Sequence, residues 1–206
     1  IKLIIRGFFM SLSLWFFVSF FSASIPWSLI IGFIFSKQDI RTIGDKNPGG
    51  TNTLKLAGIK VGLIAITLDI LKSFFPIYFA IIFGFDGFQL AVLCLGSILG
   101  SIFSPFLKFN GGKSLAVSCG IWMAISSGMI GPLICLIMAF SHLIQKTHLW
   151  TILSGWLGIL IWVLIFSLSI EYIVIFIINF ILVMFKHKNE FNQKIILRNW
   201  VLMRRV

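Results

Sequence analysis

Acidic residues are scarce in this sequence: Asp and Glu number six among 206 residues, and charged side chains of both signs amount to 11%. A soluble domain of this size needs a more polar surface, so the composition excludes that class of protein. Instead, 59% of the residues are hydrophobic, and the mean hydropathy is +1.06. Long apolar runs of this kind predict an integral membrane protein.

Cysteine is also rare, and its spacing predicts neither a disulfide nor a metal site. Cys94, Cys119 and Cys135 lie singly in apolar stretches, as expected for core or lipid-facing residues. No pair of His, Cys or acidic residues has the spacing of metal ligands. No serine occupies the turn of a hydrolase nucleophile. We therefore expect no bound metal.

Seven apolar runs predict about seven transmembrane helices in an all-α protein. Their approximate bounds are 9–35, 61–83, 88–106, 114–128, 130–145, 148–168 and 170–185. Three of them are shorter than the roughly 20 residues that cross a bilayer, and the segment 128–132 could be a turn or a kink. The first run also resembles a signal peptide with a cleavage site near Ser24, but its continuation to Phe35 favours a helix. We expect a membrane domain over residues 1–185 and a basic cytoplasmic tail over 186–206.

The distribution of basic residues predicts the orientation. The net charge of +11 could indicate nucleic-acid binding, but the charges lie between apolar spans, so we expect no nucleic-acid partner. With seven spans, one side of the membrane holds 14 of the 17 Lys and Arg residues: Lys37, Arg41, Lys46, Lys55, Lys60, Lys108, Lys113, Lys146, Lys186, Lys188, Lys194, Arg198, Arg204 and Arg205. The positive-inside rule places that side in the cytoplasm, with the N-terminus outside.

Two polar loops rich in glycine and lysine, residues 44–55 and 108–113, fall on this cytoplasmic side. Non-helical backbone at membrane depth is tolerated where it lines a cavity. Gly49 and Gly50 would let the backbone approach a ligand closely, and Lys46 and Lys55 add positive charge, which suits a phosphate. Lys113, which ends the second loop at a predicted helix start, could either bind an anion or anchor the span in the cytoplasm.

Four further residues could carry chemistry or structure. Asp69 and Lys72 lie inside the second span at i and i+3, so they can pair on one helix face, either structurally or in function. His187, at the end of the last span, could be a general base or a solvated histidine of the tail. His142 and His148 are interpreted as residues of the membrane interface.

An ordered set of motifs extends along most of the chain. They are Ser24-Ile25-Pro26, Asp39-Ile40-Arg41, Gly44-x-x-Asn47-Pro48-Gly49-x-Thr51-Asn52, Gly58, Asp69, Leu71-Lys72, Phe106-Leu107-x-Phe109-x-Gly111-Gly112-Lys113-x-x-Ala116 and His187. These motifs resemble those of the bacterial membrane glycerol-3-phosphate acyltransferases that use acyl phosphate, the PlsY family.

This resemblance implies a seven-helix fold in the bacterial plasma membrane with a cytoplasmic active site. The implied reaction moves an acyl group from acyl phosphate to glycerol 3-phosphate, giving lysophosphatidic acid without a cofactor, and membrane lipid surrounds the protein. We expect His187 and Asp45 to be catalytic. We expect substrate to contact Arg41, Asn47, Gly49, Thr51, Asn52, Lys55, Gly111, Gly112 and Lys113.

The sequence also differs from the family pattern at several of these positions. Asp45 stands where the family has serine, Lys55 where it has arginine, and Glu190 where it has asparagine; Ser101, Ser104 and Ser114 replace histidine, proline and glycine. A carboxylate at residue 45 could act as a base, but it would repel phosphate. Two other functions therefore stay open: a non-catalytic relative that binds phospho-ligands or lipid, and a small transporter.

Overall fold

The computed structural model describes residues 11–198. Nine α-helices lie in this part of the chain: α1 (Leu12–Ser24), α2 (Trp27–Ser36), α3 (Gly50–Ala57), α4 (Ile59–Ile82), α5 (Gly87–Ile102), α6 (Leu115–Ile125), α7 (Ile130–Ile144), α8 (His148–Phe166) and α9 (Ile170–Lys186). Three short 3₁₀ turns connect them, at Ile40–Thr42, Pro105–Leu107 and Lys188–Glu190. The predicted all-helical class is confirmed.

Four segments within the described residues are long and apolar enough to cross a membrane: Leu12–Ser36, Ile59–Ile82, Gly87–Leu107 and His148–Phe166. Two further apolar helices, α6 and α7, are shorter. Each predicted run from the second to the seventh corresponds to one helix, because apolar length and loop composition determine both ends.

The first predicted span is two helices, because the chain breaks at Ile25 and Pro26. Ile25 is extended (φ −63°, ψ 122°), and proline has no N–H to continue the helical ladder. The carbonyl of Ile25 accepts a hydrogen bond from the Lys72 ammonium at 2.8 Å. A neighbouring helix thus satisfies a backbone group that the break frees, as a membrane interior requires.

The first polar loop is also shorter than predicted, because residues from Gly50 onward form helix α3. This helix lies against α2 and α4, and Asn52 and Thr53 on it are buried. A Cβ atom at Gly50 would meet the side chain of Ile66 on α4. The prediction that Gly50 lies in an irregular loop was therefore wrong: the glycine begins α3 and lets it approach α4.

Three helix pairs form the body of the fold: α1 with α5, α4 with α6, and α7 with α8. Small residues permit close approach, since a side chain at Gly100 would meet the backbone of Phe20, and one at Gly120 would meet that of Ile70. Trp122 lies fully buried between these elements, with its ring 6.4 Å from that of Trp162.

The loops sort to two ends of the bundle. At one end, Lys113 of the second glycine loop contacts Asp45 of the first and Glu190 after α9. The chain then folds back, so that the Lys146 amide donates to Ile196 at 2.8 Å and the Arg198 amide donates to Ile144 at 2.9 Å. These contacts hold residues 194–198 of the tail against the connection between α7 and α8.

Candidate active site

A cavity of about 750 Å³ lies between the glycine loops and the bundle. Its polar part contains Asp45, Asn47, Thr51, Asn52, Lys55, Gly112, Lys113, His142, Lys146, His148, Glu190 and Gln193. Its apolar part runs between α4, α6, α7 and α8 and contains Ile66, Ile70, Leu115, Ile134, Met138, Ile152, Trp156 and Ile159. A ligand with a polar head and a hydrocarbon tail fits this division.

Lys113 is the electrostatic centre of the polar part. Its ammonium lies 2.7 Å from Asp45 Oδ2 and also forms an ion pair with Glu190 Oε1. The side chain of Lys113 is 14% exposed, as is that of Glu190, whereas that of Asp45 is 46% exposed. One cation is therefore shared by two carboxylates that reach it from separate segments of the chain.

Asn52 organises the first glycine loop from inside. Its amide nitrogen donates to the carbonyls of Ile43 (3.2 Å) and Asn47 (2.9 Å) and to Asp45 Oδ1 (3.0 Å). The Asn47 amide donates to the same Asp45 oxygen at 3.2 Å. Because Asn52 is buried on α3, this helix fixes the position of the Asp45 carboxylate at the cavity.

His187 lies one residue beyond α9 and is fully buried. Its Nδ1 is 3.0 Å from Glu190 Oε1, three residues along the chain. Its Nε2 is buried and has no hydrogen-bond partner in the described part of the protein. Glu190 belongs to the cavity wall and His187 does not, so the glutamate lies where the histidine was expected.

Burial and charge compete at each ionisable group of the site. Burial raises the pKa of Asp45 and of Glu190, but hydrogen bonds and charge from Lys113 outweigh it and leave both pKa values below the ordinary range. Burial lowers the pKa of Lys113, and its two carboxylate partners raise that pKa overall. Burial lowers the pKa of His187, and Glu190 only partly opposes this shift. The imidazole is therefore neutral at pH 7, and the bond to Glu190 assigns its proton to Nδ1.

These shifts predict that acid destabilises the folded protein in two stages. As the pH falls through about 6.5, the ordinary pKa of histidine, the unfolded chain protonates His187 more readily than the folded chain, in which the pKa of His187 is lowered; this difference costs up to about 1.4 kcal/mol per pH unit. Below about pH 5, the unfolded state also binds protons that folded Asp45 and Glu190 resist. Chemical unfolding in detergent at several pH values measures both stages.

His187→Gln is the matched control for the first stage, because glutamine does not titrate. The variant should lose less stability between pH 7.5 and 5.5 than the natural protein. A natural protein that gains stability on acidification over this range would contradict the assignment of a neutral, buried His187.

The structure brings most of the predicted site residues to one cavity. Asp45, Asn47, Gly49, Thr51, Asn52, Lys55, Gly112 and Lys113 all line it, as do Asp69 and Lys72. Arg41 does not line it: its guanidinium forms an exposed ion pair with Asp39 at 2.6 Å. Gly111 packs behind the loop, where its amide donates to the Ile102 carbonyl at 3.0 Å.

Several cavity residues were not predicted as part of a site. His142 and His148, which were interpreted as residues of the membrane interface, line the cavity with Lys146 because the α7–α8 connection lies beside the tail. The charge pattern was a usable signal, since it assigned this connection to the same side as both glycine loops. Glu190 was noted only as a difference from the family pattern.

Ser114 follows Lys113 in a backbone conformation that favours glycine. Its φ of 63° and ψ of 13° lie in the left-handed region, and its hydroxyl is buried without a hydrogen-bond partner among the described residues. We expect Ser114→Gly to stabilise the protein by about 1 kcal/mol, since it removes the left-handed strain and the unpaired hydroxyl. Thermal unfolding in detergent measures this gain.

Ser114→Ala separates the two contributions, because it removes the hydroxyl and keeps the strained φ. It should recover only part of the gain. A Ser114→Gly variant less stable than the natural protein would show that the hydroxyl has a partner in the membrane-embedded state.

Asp69 and Lys72 form an ion pair of 2.7 Å inside α4, with side chains 10% and 8% exposed. The Ser28 hydroxyl donates to Asp69 Oδ2, and the Lys72 ammonium also reaches the Ile25 carbonyl. The pair therefore joins α4 to both sides of the break between α1 and α2, next to the cavity.

Comparison with known proteins agrees with this architecture. The sequence model of the glycerol-3-phosphate acyltransferase family matches residues 13–196, so the chain belongs to that family. Glycerol-3-phosphate acyltransferase 1 of Thermotoga maritima is 32% identical over 189 residues, which cover 84% of this chain and 92% of the relative. The glycerol-3-phosphate acyltransferase of Leptospira borgpetersenii serovar Hardjo-bovis (strain JB197) is 38% identical over 138 residues, or 66% of this chain.

The chain covers only part of several of these relatives: 61% of the Leptospira protein, 57% of that of Maridesulfovibrio salexigens and 55% of that of Fusobacterium nucleatum.

Two solved structures share the fold. Both are of PlsY, an integral membrane glycerol 3-phosphate acyltransferase. The lysophosphatidic acid form has a TM-score of 0.78 and 23% identity, covering 88% of this chain and 90% of that one. The glycerol 3-phosphate form has a TM-score of 0.73 and 25% identity, covering 84% and 88%.

Proposed function

We propose that this protein transfers an acyl group from acyl phosphate to glycerol 3-phosphate, giving lysophosphatidic acid and inorganic phosphate for phospholipid synthesis. The observation that supports this most directly is the two-part cavity, in which a lysine between two glycine loops adjoins an apolar channel between helices. Family membership gives the reaction class, and the glycerol 3-phosphate form of PlsY gives a precedent for the acceptor.

Within this proposal, Lys113 and Lys55 bind the substrate phosphates, with the amides of the Gly49 and Gly112 segments close by. Asn47, Thr51 and Asn52 shape the pocket around them. Asp45 acts at the reacting head group, and His187 acts through its hydrogen bond to Glu190. The acyl chain lies in the apolar part of the cavity beside Trp156, in contact with membrane lipid. Arg41 does not line the cavity, and within this proposal it attracts substrate anions without direct contact.

We further propose seven membrane crossings, with the site and the C-terminus in the cytoplasm of a bacterial plasma membrane. The connections after α2, α5, α7 and α9 meet at the cavity. At the other end, Gly87 lies beside Glu171, and Phe85 packs on Trp15 near the start of α1. The start of α1 and the end of α9 therefore lie at opposite ends of the bundle, which supports an odd number of crossings. A C-terminal reporter that is active only outside the cytoplasm would overturn it.

One observation favours a second candidate function, a non-catalytic relative that binds phospho-ligands or lipid. Lys113 is already paired with two carboxylates, so a phosphate must compete with Asp45 and Glu190 for it. Like charges about 4 Å apart repel by about 4 kcal/mol at the effective dielectric constant of a protein surface. Such a site could hold a ligand without supporting turnover.

Release of inorganic phosphate from palmitoyl phosphate by the purified full chain distinguishes the two functions. An acyltransferase releases phosphate only when glycerol 3-phosphate is present and forms lysophosphatidic acid in equal amount. A non-catalytic relative binds either substrate in calorimetry without product. A protein that shows no binding and no turnover would exclude both functions.

A further inference from the structure

The carboxylate of Glu190 has one oxygen that is held and one that is free. Oε1 contacts the Lys113 ammonium and lies 3.0 Å from His187 Nδ1. Oε2 is buried and has no hydrogen-bond partner among residues 11–198. A buried carboxylate oxygen without a donor is costly, so this position calls for an N–H or O–H group from outside residues 11–198, such as that of a bound ligand.

Asp45, the other carboxylate that contacts Lys113, has no such oxygen. Its Oδ2 is paired with Lys113 at 2.7 Å, and its Oδ1 accepts from Asn52 at 3.0 Å and from the Asn47 amide at 3.2 Å. It is also the more exposed of the two carboxylates. Asp45 is therefore engaged in holding its loop, and of the two carboxylates that contact Lys113, Glu190 is the one with an oxygen that lacks a donor among residues 11–198.

We propose that Glu190 is the general base that removes the proton from the acceptor hydroxyl, and that His187 is the positioning residue that holds its carboxylate. The inference rests on the proposed acyl transfer and extends it. The family pattern has asparagine at this position, which can hydrogen-bond a substrate but cannot accept its proton. The assignment therefore describes this chain and not the family as a whole.

The step balances without any further reactant. The acceptor oxygen forms a bond to the acyl carbon while its proton passes to Glu190 Oε2. The bond between the acyl carbon and the phosphate oxygen then breaks, and Glu190 returns the proton to the departing phosphate. Glu190 ends the cycle ionised, and the products are the ester and inorganic phosphate.

Lys113 assists this role. Before substrate binds, the lysine keeps Glu190 ionised, which is the form that a base requires. When a substrate phosphate contacts the ammonium, it draws that positive charge away from Glu190 and makes the carboxylate a stronger base in the bound state. The base is thus strengthened when substrate is in place.

Glu190→Gln tests the proposal, because it keeps the size of the side chain and removes its basicity. We expect kcat for glycerol 3-phosphate-dependent phosphate release to fall by about 10²–10⁴-fold. KM for glycerol 3-phosphate should stay the same or fall, since one negative charge beside the phosphate is lost. The acid limb of the pH–rate profile should disappear.

Two other variants separate base, position and fold. His187→Ala removes the donor to Glu190, so the acid limb should move to higher pH, and His187→Gln, which keeps a donor, should restore it. Glu171→Gln makes the same substitution at the opposite end of the bundle and should match the natural protein. Thermal unfolding of each variant identifies any loss that comes from misfolding.

A Glu190→Gln variant as active as the natural protein, or more active, overturns the proposal and leaves the acyltransferase function standing. Activity that appears only after Glu190→Asn overturns the proposal and the function of the natural protein together, because the carboxylate would then act as an inhibitor. A natural protein without glycerol 3-phosphate-dependent phosphate release overturns both the function and the base. A folded Glu190→Gln variant that binds glycerol 3-phosphate normally but turns over at the reduced rate supports it.

Discussion

Lys113→Ala is expected to lower kcat/KM for phosphate release from palmitoyl phosphate by about 10²–10³-fold, the cost of removing one donor to a developing oxyanion. Under the proposed function, Lys113 contacts the departing phosphate, and the variant removes that cation. It also leaves Asp45 and Glu190 close together without the ammonium that both contact. Steady-state assays at fixed pH measure the effect, and binding of each substrate by calorimetry shows how much of it is lost affinity.

Lys108→Ala is the matched control, since Lys108 lies in the same loop and does not line the cavity. It should behave as the natural protein does. Lys113→Arg keeps the charge but changes its shape, and it should recover part of the lost activity. If Lys113→Ala matched the Lys108→Ala control in both activity and affinity, Lys113 would be an ordinary membrane anchor.

Sequence reasoning located the long helices because apolar length and polar connections determine them locally. The predicted run 148–168 is α8 at His148–Phe166, and the run 170–185 is α9 at Ile170–Lys186. The helix break at Pro26 was not predicted, because the run remains apolar across it. Its stability depends on the Lys72 side chain, 47 residues further along the chain.

The candidate site was also predictable in part, because the positions of charged residues along the chain are read directly from the sequence. The charge pattern assigned both glycine loops and the tail to one side, and these segments meet at the cavity. The pairing of Lys113 with Glu190 joins residues 77 positions apart, and no local pattern encodes it. A polar tail also gave no sign that His187 would be fully buried.

The roles of the acidic residues could not be obtained from the resemblance. A family pattern gives no function to a residue that it does not contain, so Asp45 was expected to be catalytic only as a possible base, and Glu190 was visible only as a difference. Their contacts give them distinct positions: Asp45 is tied to its own loop by Asn52, and Glu190 is held between Lys113 and His187. The differences at residues 45 and 190 look independent in the sequence, but both carboxylates contact the ammonium of Lys113.

Lys72→Met is expected to destabilise the protein by about 3–5 kcal/mol, the cost of removing one partner from a buried ion pair. Asp69 would keep its hydrogen bond from Ser28 but lose the ammonium at 2.7 Å. The Ile25 carbonyl at the helix break would also lose one of its two donors and keep only the Trp27 amide, at 3.1 Å. Unfolding in a detergent series, followed by tryptophan fluorescence, measures the loss.

The double variant Asp69→Asn with Lys72→Met tests whether the unpaired charge causes that loss. Asparagine is neutral and can still accept from Ser28, so the double variant should be more stable than Lys72→Met alone, because no charge is left buried without a partner. The stability that the double variant still lacks relative to the natural protein then measures the loss of the hydrogen bond from Lys72 to the Ile25 carbonyl. Equal stability of the single and double variants would mean that the lysine acts through the helix break and not through Asp69. The pair would then be a consequence of how α1, α2 and α4 pack and not a cause of it.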